Sequence, residues 1–432
     1  MKLFLSFLLL SQISLAANFA SDIDKTFASA KKENKPLLIY FYGIWCPPCN
    51  ELKETVYEST GFLNKSKSFK LLQVDVDAKN SWKVKSRYKV GGYPTVVFAD
   101  PKGAEIYRIV GYRTPNEFIR VMDLVLNSKN KSIEKACQSK SNDDIWRCAV
   151  ICSERKDKVC AETAFKKLEA TLKPGSARYE LARTYSIENA PNHDLKKDGY
   201  ERLMNEFPES PQALVWASNY HSSFDEKVKT KPKNEVIEKV LNNYSKMVND
   251  PKREELGISH TDMAQIRADL LEKIGKKTEA VAAWKEAAGL LEKEANSLPK
   301  GTVARGFTLE RIYCLESAGE LDAALKLSQE YREKFPEEFT FYYTAASILN
   351  RAKKYSEAIP LAQKAYGLSY GDNKIRVATL LIKLYATIPD KEGAKKVFHE
   401  VNSEIKPDSE LEIRTHRYLI NLQKAYLDAQ IS

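Results

Sequence analysis

Two groups of cysteines carry the chemistry this sequence could do. Cys46-Pro47-Pro48-Cys49 sets two thiols three positions apart, directly after the apolar run Leu37-Leu38-Ile39-Tyr40-Phe41. That order puts Cys46 between an expected strand and the N-terminus of an expected helix. A helix N-terminus favours a nearby anion, so the first thiol ionises more easily. The two intervening residues leave the second thiol within reach of a mixed disulfide on the first. Pro47 and Pro48 stiffen the loop and lack N–H donors, which removes hydrogen bonds to sulfur. Zinc sites use the same spacing, but no second CxxC and no HxxxH accompanies it. No metal and no cofactor is therefore expected. A structural staple over so short a loop would stabilise the chain little. Thiol–disulfide exchange is the chemistry left.

The second group is Cys137, Cys148, Cys152 and Cys160. Cys148 and Cys152 are i,i+4 and share one side of a helix opened by Asp143 or Asp144. Two disulfides are the default in an oxidising compartment, with three possible connectivities. Chain turns near Asn142 and Lys156 favour Cys137–Cys148 and Cys152–Cys160. Stapling a small helical adaptor is the leading reading, with a second redox relay and metal ligation as alternatives. Cys314 lies on an apolar helical stretch and is expected as a buried free thiol.

The elements that must hold these residues follow from hydrophobic periodicity. Residues 18–127 read α-β-α-β-α-β-β-α, with Leu52 and Val56 on one side of the helix that the CxxC opens. Asp100-Pro101-Lys102-Gly103 closes a hairpin. Thr114-Pro115-Asn116-Glu117 combines an N-cap, a first-turn Pro and a capping-box Glu. A polar, Lys/Ser-rich stretch from Asn127 to Asp144 marks a domain boundary. Residues 128–162 form a four-cysteine helical connector, and 163–432 are all helical. In that last part Leu321-Asp322-Ala323-Ala324-Leu325 stands 34 positions before Tyr355-Ser356-Glu357-Ala358-Ile359. Such a period, with small residues where helices cross, is the mark of tetratricopeptide-like repeats. A further unit begins at Gly393-Ala394. Phe207-Pro208-Glu209 and Phe335-Pro336-Glu337 end their helices alike.

Phe41-Tyr42-Gly43-Ile44-Trp45-Cys46-Pro47-Pro48-Cys49, followed by Tyr88 to Thr95, resembles the thioredoxin fold. More narrowly, with Asn34-Lys35-Pro36 and Glu51 to Ser59, it is similar to the thioredoxin-like C-terminal domain of the membrane reductant transporter DsbD. The resemblance covers residues 20–126, about a quarter of the chain. It implies that Cys46 is the nucleophile and Cys49 the resolving thiol. It implies that Trp45 flanks the site and that Pro94 is a cis-proline facing the sulfurs. Tyr93 would offer backbone hydrogen bonds to an extended substrate. Gly92, Gly103 and Gly111 match family glycines. Tyr40 and Lys53 depart from the pattern, standing where that subgroup carries acids, and both changes remove negative charge near the sulfurs.

A formal charge of +10 is spread along the chain as lysine, without the clustered basic stripes that nucleic-acid binding needs. Lys2, the apolar Leu3 to Leu10 and Ser14-Leu15-Ala16 read as a signal peptide over residues 1–16. The expectation is a periplasmic or secreted protein, soluble after cleavage. Its fold is an α/β thioredoxin domain plus an all-α tetratricopeptide-like solenoid. Its expected partners are client proteins with thiols or disulfides and a membrane or soluble redox protein. The competing reading is a non-catalytic scaffold or chaperone-like protein that binds through its repeats.

Overall fold

The computed structural model describes residues 17–127, 133–224, 231–388, 390–405 and 413–431. The expected leader, residues 1–16, lies outside the described residues. The first unit runs α1 (Ile23–Glu33), β1 (Leu37–Tyr42), α2 (Pro47–Glu51), α3 (Thr60–Ser66), β2 (Lys70–Asp75), α4 (Trp82–Arg87), β3 (Thr95–Ala99), β4 (Glu105–Val110) and α5 (Pro115–Asn127). The sheet has the order β2-β1-β3-β4, with β2 parallel to β1 and the other pairs antiparallel.

β1 is an inner strand covered on both faces, which is why it reads as an unbroken apolar run rather than an alternation. Leu38 and Tyr40 point into a cluster with Phe62, Phe98 and Phe118. Leu37, Ile39 and Phe41 point the other way, against Val74 and Val97. Strand side chains alternate between faces, so this one strand ties both helical layers to the sheet and fixes where its C-terminal end, and hence Cys46, must sit. This four-stranded mixed sheet between helices is a thioredoxin fold. Gly103 and Gly111 take φ of 83° and 78°, a region where only a residue without Cβ sits unstrained.

The connector consists of α6 (Ile133–Cys137), α7 (Asn142–Glu154) and α8 (Lys158–Glu169). Arg155, just past α7, donates to Glu105 on β4 at 2.6 Å, and Arg108 holds the same carboxylate from the other side. Beyond it the described residues are helices joined by short turns. The pair Arg305–Ser317 and Leu321–Lys334 recurs as Phe339–Arg351 and Tyr355–Leu368, each partner 34 residues on. Ala324, Ala358 and Ala394 are all 0% exposed. Each has only a methyl group at the crossing, which lets neighbouring helices approach closely. The result is a tetratricopeptide-like solenoid. No helix among the described residues is long and apolar enough to cross a membrane.

Candidate functional site

β1 ends at Tyr42 and the chain turns through Gly43-Ile44-Trp45 into α2. Cys46 is the N-cap of α2, with φ −91° and ψ 111°, and Pro47 is its first helical residue. The Cys46 Sγ accepts a hydrogen bond from the Cys49 N–H at 3.3 Å, and the two sulfurs are joined as a disulfide. This is the position where orphan N–H groups and the helix dipole stabilise a thiolate. The Tyr93–Pro94 peptide is cis. The Trp45 and Tyr93 rings meet edge to face at 6.3 Å, so Trp45, Tyr93 and the CxxC share one end of the sheet.

Tyr40 packs in the same apolar cluster as Cys46 and Cys49. It is buried among Phe19, Tyr42 and Tyr57, and its hydroxyl donates to the Cys49 carbonyl at 2.7 Å. Burial pushes the phenol well above its ordinary range, so it stays neutral and bonds the backbone of α2 to the sheet. Lys53 points to solvent, while Glu54 beside it is buried. Glu51 and Glu54, on the same helix, are held above the usual carboxyl range chiefly by burial, Glu54 at about 7.

The sequence did not reveal what covers this end of the domain. The solenoid returns onto it. The N-terminus of helix Arg305–Ser317 packs on α2, and the Glu54 carboxylate accepts the backbone N–H groups of Arg305 at 2.7 Å and Gly306 at 3.0 Å. A carboxylate at a helix N-terminus is the electrostatically favourable pairing. A Cβ on Gly306 would lie 2.6 Å from Glu51 N and 2.7 Å from Pro47 O, so glycine permits the close approach. The Arg305 guanidinium donates to the Ile44 carbonyl at 2.9 Å and pairs with Glu338. Farther along, Tyr370 donates to Asp75 at 2.6 Å, and Arg414 bridges Asp77 and Asp372. Asp77 also accepts the Trp45 indole N–H at 2.6 Å. The guanidinium groups of Arg376 and Arg414 lie over the Trp45 ring at 5.0 and 5.5 Å. Cys46 is left 3% exposed and Cys49 1% exposed. Beside them a hollow of about 240 Å³ remains, walled by Trp45 and Pro47 on one side and Phe339, Tyr343 and Arg376 on the other.

These buried carboxyls set a pH dependence. Glu54 moves from 4.5 to about 7, driven by burial and opposed by its bonds to Gly306 and Arg305. Glu188 and Glu310 are also pushed up to about 7 by burial. A carboxyl that keeps its proton in the folded state and loses it in the unfolded one makes stability fall as pH rises between the two values. The melting temperature is therefore expected to drop between pH 5 and 7.5. The Glu54 share is on the order of 3 kcal/mol at most. Glu54→Gln should flatten the slope, and an equally steep fall in that variant would show that Glu54 is not its source.

The four connector cysteines come together as the disulfides Cys137–Cys148 and Cys152–Cys160, while Cys314 is a buried free thiol. Burial pushes the Cys314 thiol up to about 12, which disfavours the nucleophilic thiolate.

The family model for the thioredoxin-like domain matches residues 23–126. Over 93 residues the chain is 30% identical to the thiol:disulfide interchange protein DsbD 2 of Pseudomonas aeruginosa, a match that covers 21% of this chain and 16% of the relative. It is 27% identical over 115 residues to the thiol:disulfide interchange protein DsbD of Campylobacter jejuni, covering 26% of this chain and 20% of the relative. A solved tetratricopeptide repeat protein from Parabacteroides merdae is 15% identical, covering 66% of this chain and 100% of its own at a TM-score of 0.39. The chain spans no more than a fifth of the length of these curated relatives, 16% of one and 20% of the other.

Proposed function

We propose that the thioredoxin-like domain at residues 23–126 exchanges disulfides with client proteins outside the cytoplasm, through Cys46 and Cys49. The observation that carries this reading is the Cys46–Cys49 pair at the N-terminus of α2, with the Cys46 sulfur already accepting a backbone N–H. In the reducing direction the Cys46 thiolate attacks a client disulfide. One client sulfur leaves as a thiolate and takes a proton, and the other stays bonded to Cys46. Cys49, as thiolate, then attacks the Cys46 sulfur, frees the client thiol and leaves Cys46–Cys49 oxidised. A dithiol redox partner restores the pair. The reverse sequence donates a disulfide. Trp45, Tyr93 and Pro94 would frame the client's extended segment, and Pro47 and Pro48 would hold the loop. The solenoid would recruit clients and control their access, with the hollow beside Trp45 as the approach. Cys137, Cys148, Cys152 and Cys160 would staple the connector between the two.

The low exposure of Cys46 favours a second reading, a scaffold in which the CxxC is inert. A dithiol-driven insulin reduction assay separates the two. Catalysis by the wild type that disappears in Cys46→Ser supports exchange. Equal rates for both proteins leave only the scaffold.

A further inference from the structure

A pair of staples does not require the geometry that the connector shows. The sulfurs of Cys137, Cys148, Cys152 and Cys160 all lie within 4.8 Å of one another. Across the two disulfides, the Cys148 and Cys160 sulfurs are 3.8 Å apart, in van der Waals contact without a bond. Cys148 and Cys152 are buried at 1% and 6% exposure, while Cys137 and Cys160 are half-buried. Two surface hollows, of about 300 and 350 Å³, open on the cluster, and both are lined by Cys137 and Cys160. Lys167 stands at one and Arg155 at the other. Cys160 occupies the first turn of the 12-residue helix α8, where its N–H is capped by Asp157 at 3.1 Å. The helix dipole and Lys167 favour a thiolate at Cys160 and the Asp157 and Glu134 carboxylates oppose it, while Arg155 is already paired with Glu105.

We infer that the four-cysteine cluster is a second redox centre in which a disulfide migrates between the two bridges, with dithiol proteins or peptides as its substrates. A partner thiolate attacks the Cys160 sulfur, the Cys152–Cys160 bond breaks, and Cys152 leaves and takes a proton. The partner's second thiolate resolves the mixed disulfide, so the partner is oxidised by two electrons and Cys160 is released as a thiolate. Once the released Cys160 side chain turns into line with the Cys137–Cys148 bond, its thiolate attacks the Cys148 sulfur, 3.8 Å away in the oxidised cluster. The Cys148–Cys160 bond forms, the Cys137–Cys148 bond breaks, and Cys137 leaves as the new thiolate. This last step is redox-neutral. It moves the reactive thiol from one half-buried sulfur to the other, so that an electron pair taken up at Cys160 is available at Cys137. Thiolate attack on a neighbouring disulfide is the ordinary route of such isomerisation.

The test uses the full chain in a Cys46→Ser/Cys49→Ser background, which removes the other reactive pair. Cys152→Ser leaves one free thiol in the cluster. After N-ethylmaleimide labelling without reductant, the label is quantified at Cys137 and at Cys160 by peptide mass spectrometry. Migration puts label on Cys137, alone or together with Cys160. Label on Cys160 alone overturns it. Circular dichroism checks that the variant is folded. Should it not be, Cys137→Ser/Cys152→Ser provides an independent measure. There Cys148 and Cys160 are expected to close a disulfide on incubation with oxidised glutathione, which takes up the two electrons and is released as reduced glutathione, and two free cluster thiols after that incubation overturn the inference.

Discussion

Cys49→Ser is expected to hold client proteins covalently on Cys46, as adducts that survive a non-reducing gel and vanish on adding thiol. The variant keeps Cys46 at the N-cap of α2, so the first attack proceeds. It removes the sulfur that would complete the exchange. The resolving step is intramolecular, and such steps gain effective concentrations of 10⁵ M or more when the groups are well placed. Its loss should therefore lengthen the life of the mixed disulfide by several orders of magnitude, until external thiol takes over. The Cys49 backbone N–H that bonds Cys46 Sγ is unaffected by the substitution. Cys46→Ser/Cys49→Ser is the control. Adducts of equal abundance in that protein would have to form on other cysteines, and the roles given to Cys46 and Cys49 would fall.

The parts of this architecture that could be read in the sequence are those written in local patterns. Both covered faces of β1 appear as Leu37 to Phe41, and the repeat appears as alanines 34 residues apart in Ala324 and Ala358. Leu52 and Val56, placed on one side of the CxxC helix, are both 0% exposed in the core. Burial of Glu54 was not legible, because its partners are the N–H groups of Arg305 and Gly306, 251 and 252 residues away. Lys53 and Glu54 look equally surface-like in the sequence. Only the arrival of a second helix decides which of them is enclosed, and a wide π-helical turn over Leu52–Tyr57 alters the angular spacing there as well. The same holds for Asp77 and Arg414, 337 residues apart. Ion pairs at such separations leave no periodicity to detect. The repeats were legible as repeats, but not as the cover of the redox site.

That cover should come off when its attachment points are removed, and the effect should be large. Arg414→Ala takes away the cation that bridges Asp77 and Asp372, and the Asp77 side chain is 0% exposed. Breaking a buried pair by deleting one partner costs about 3–5 kcal/mol. Asp77 keeps its bond from the Trp45 indole and Arg414 is 14% exposed, which argues for the lower end of that range. If Cys46 reacts only when the solenoid swings away, its reactivity follows the open fraction. A loss near 3 kcal/mol then means labelling of reduced Cys46 by iodoacetamide about 100-fold faster than in the wild type. Removing a nearby cation also makes the Cys46 thiolate less favourable, so any acceleration arises against that trend. Gly306→Val reaches the same state without altering charge, because its Cβ would collide with Glu51 N and Pro47 O. Both variants should also reduce large protein disulfides faster, since bulky clients need the most clearance. Unchanged labelling together with slower turnover of protein clients would show the opposite relation: the solenoid delivers clients to the CxxC and does not gate it.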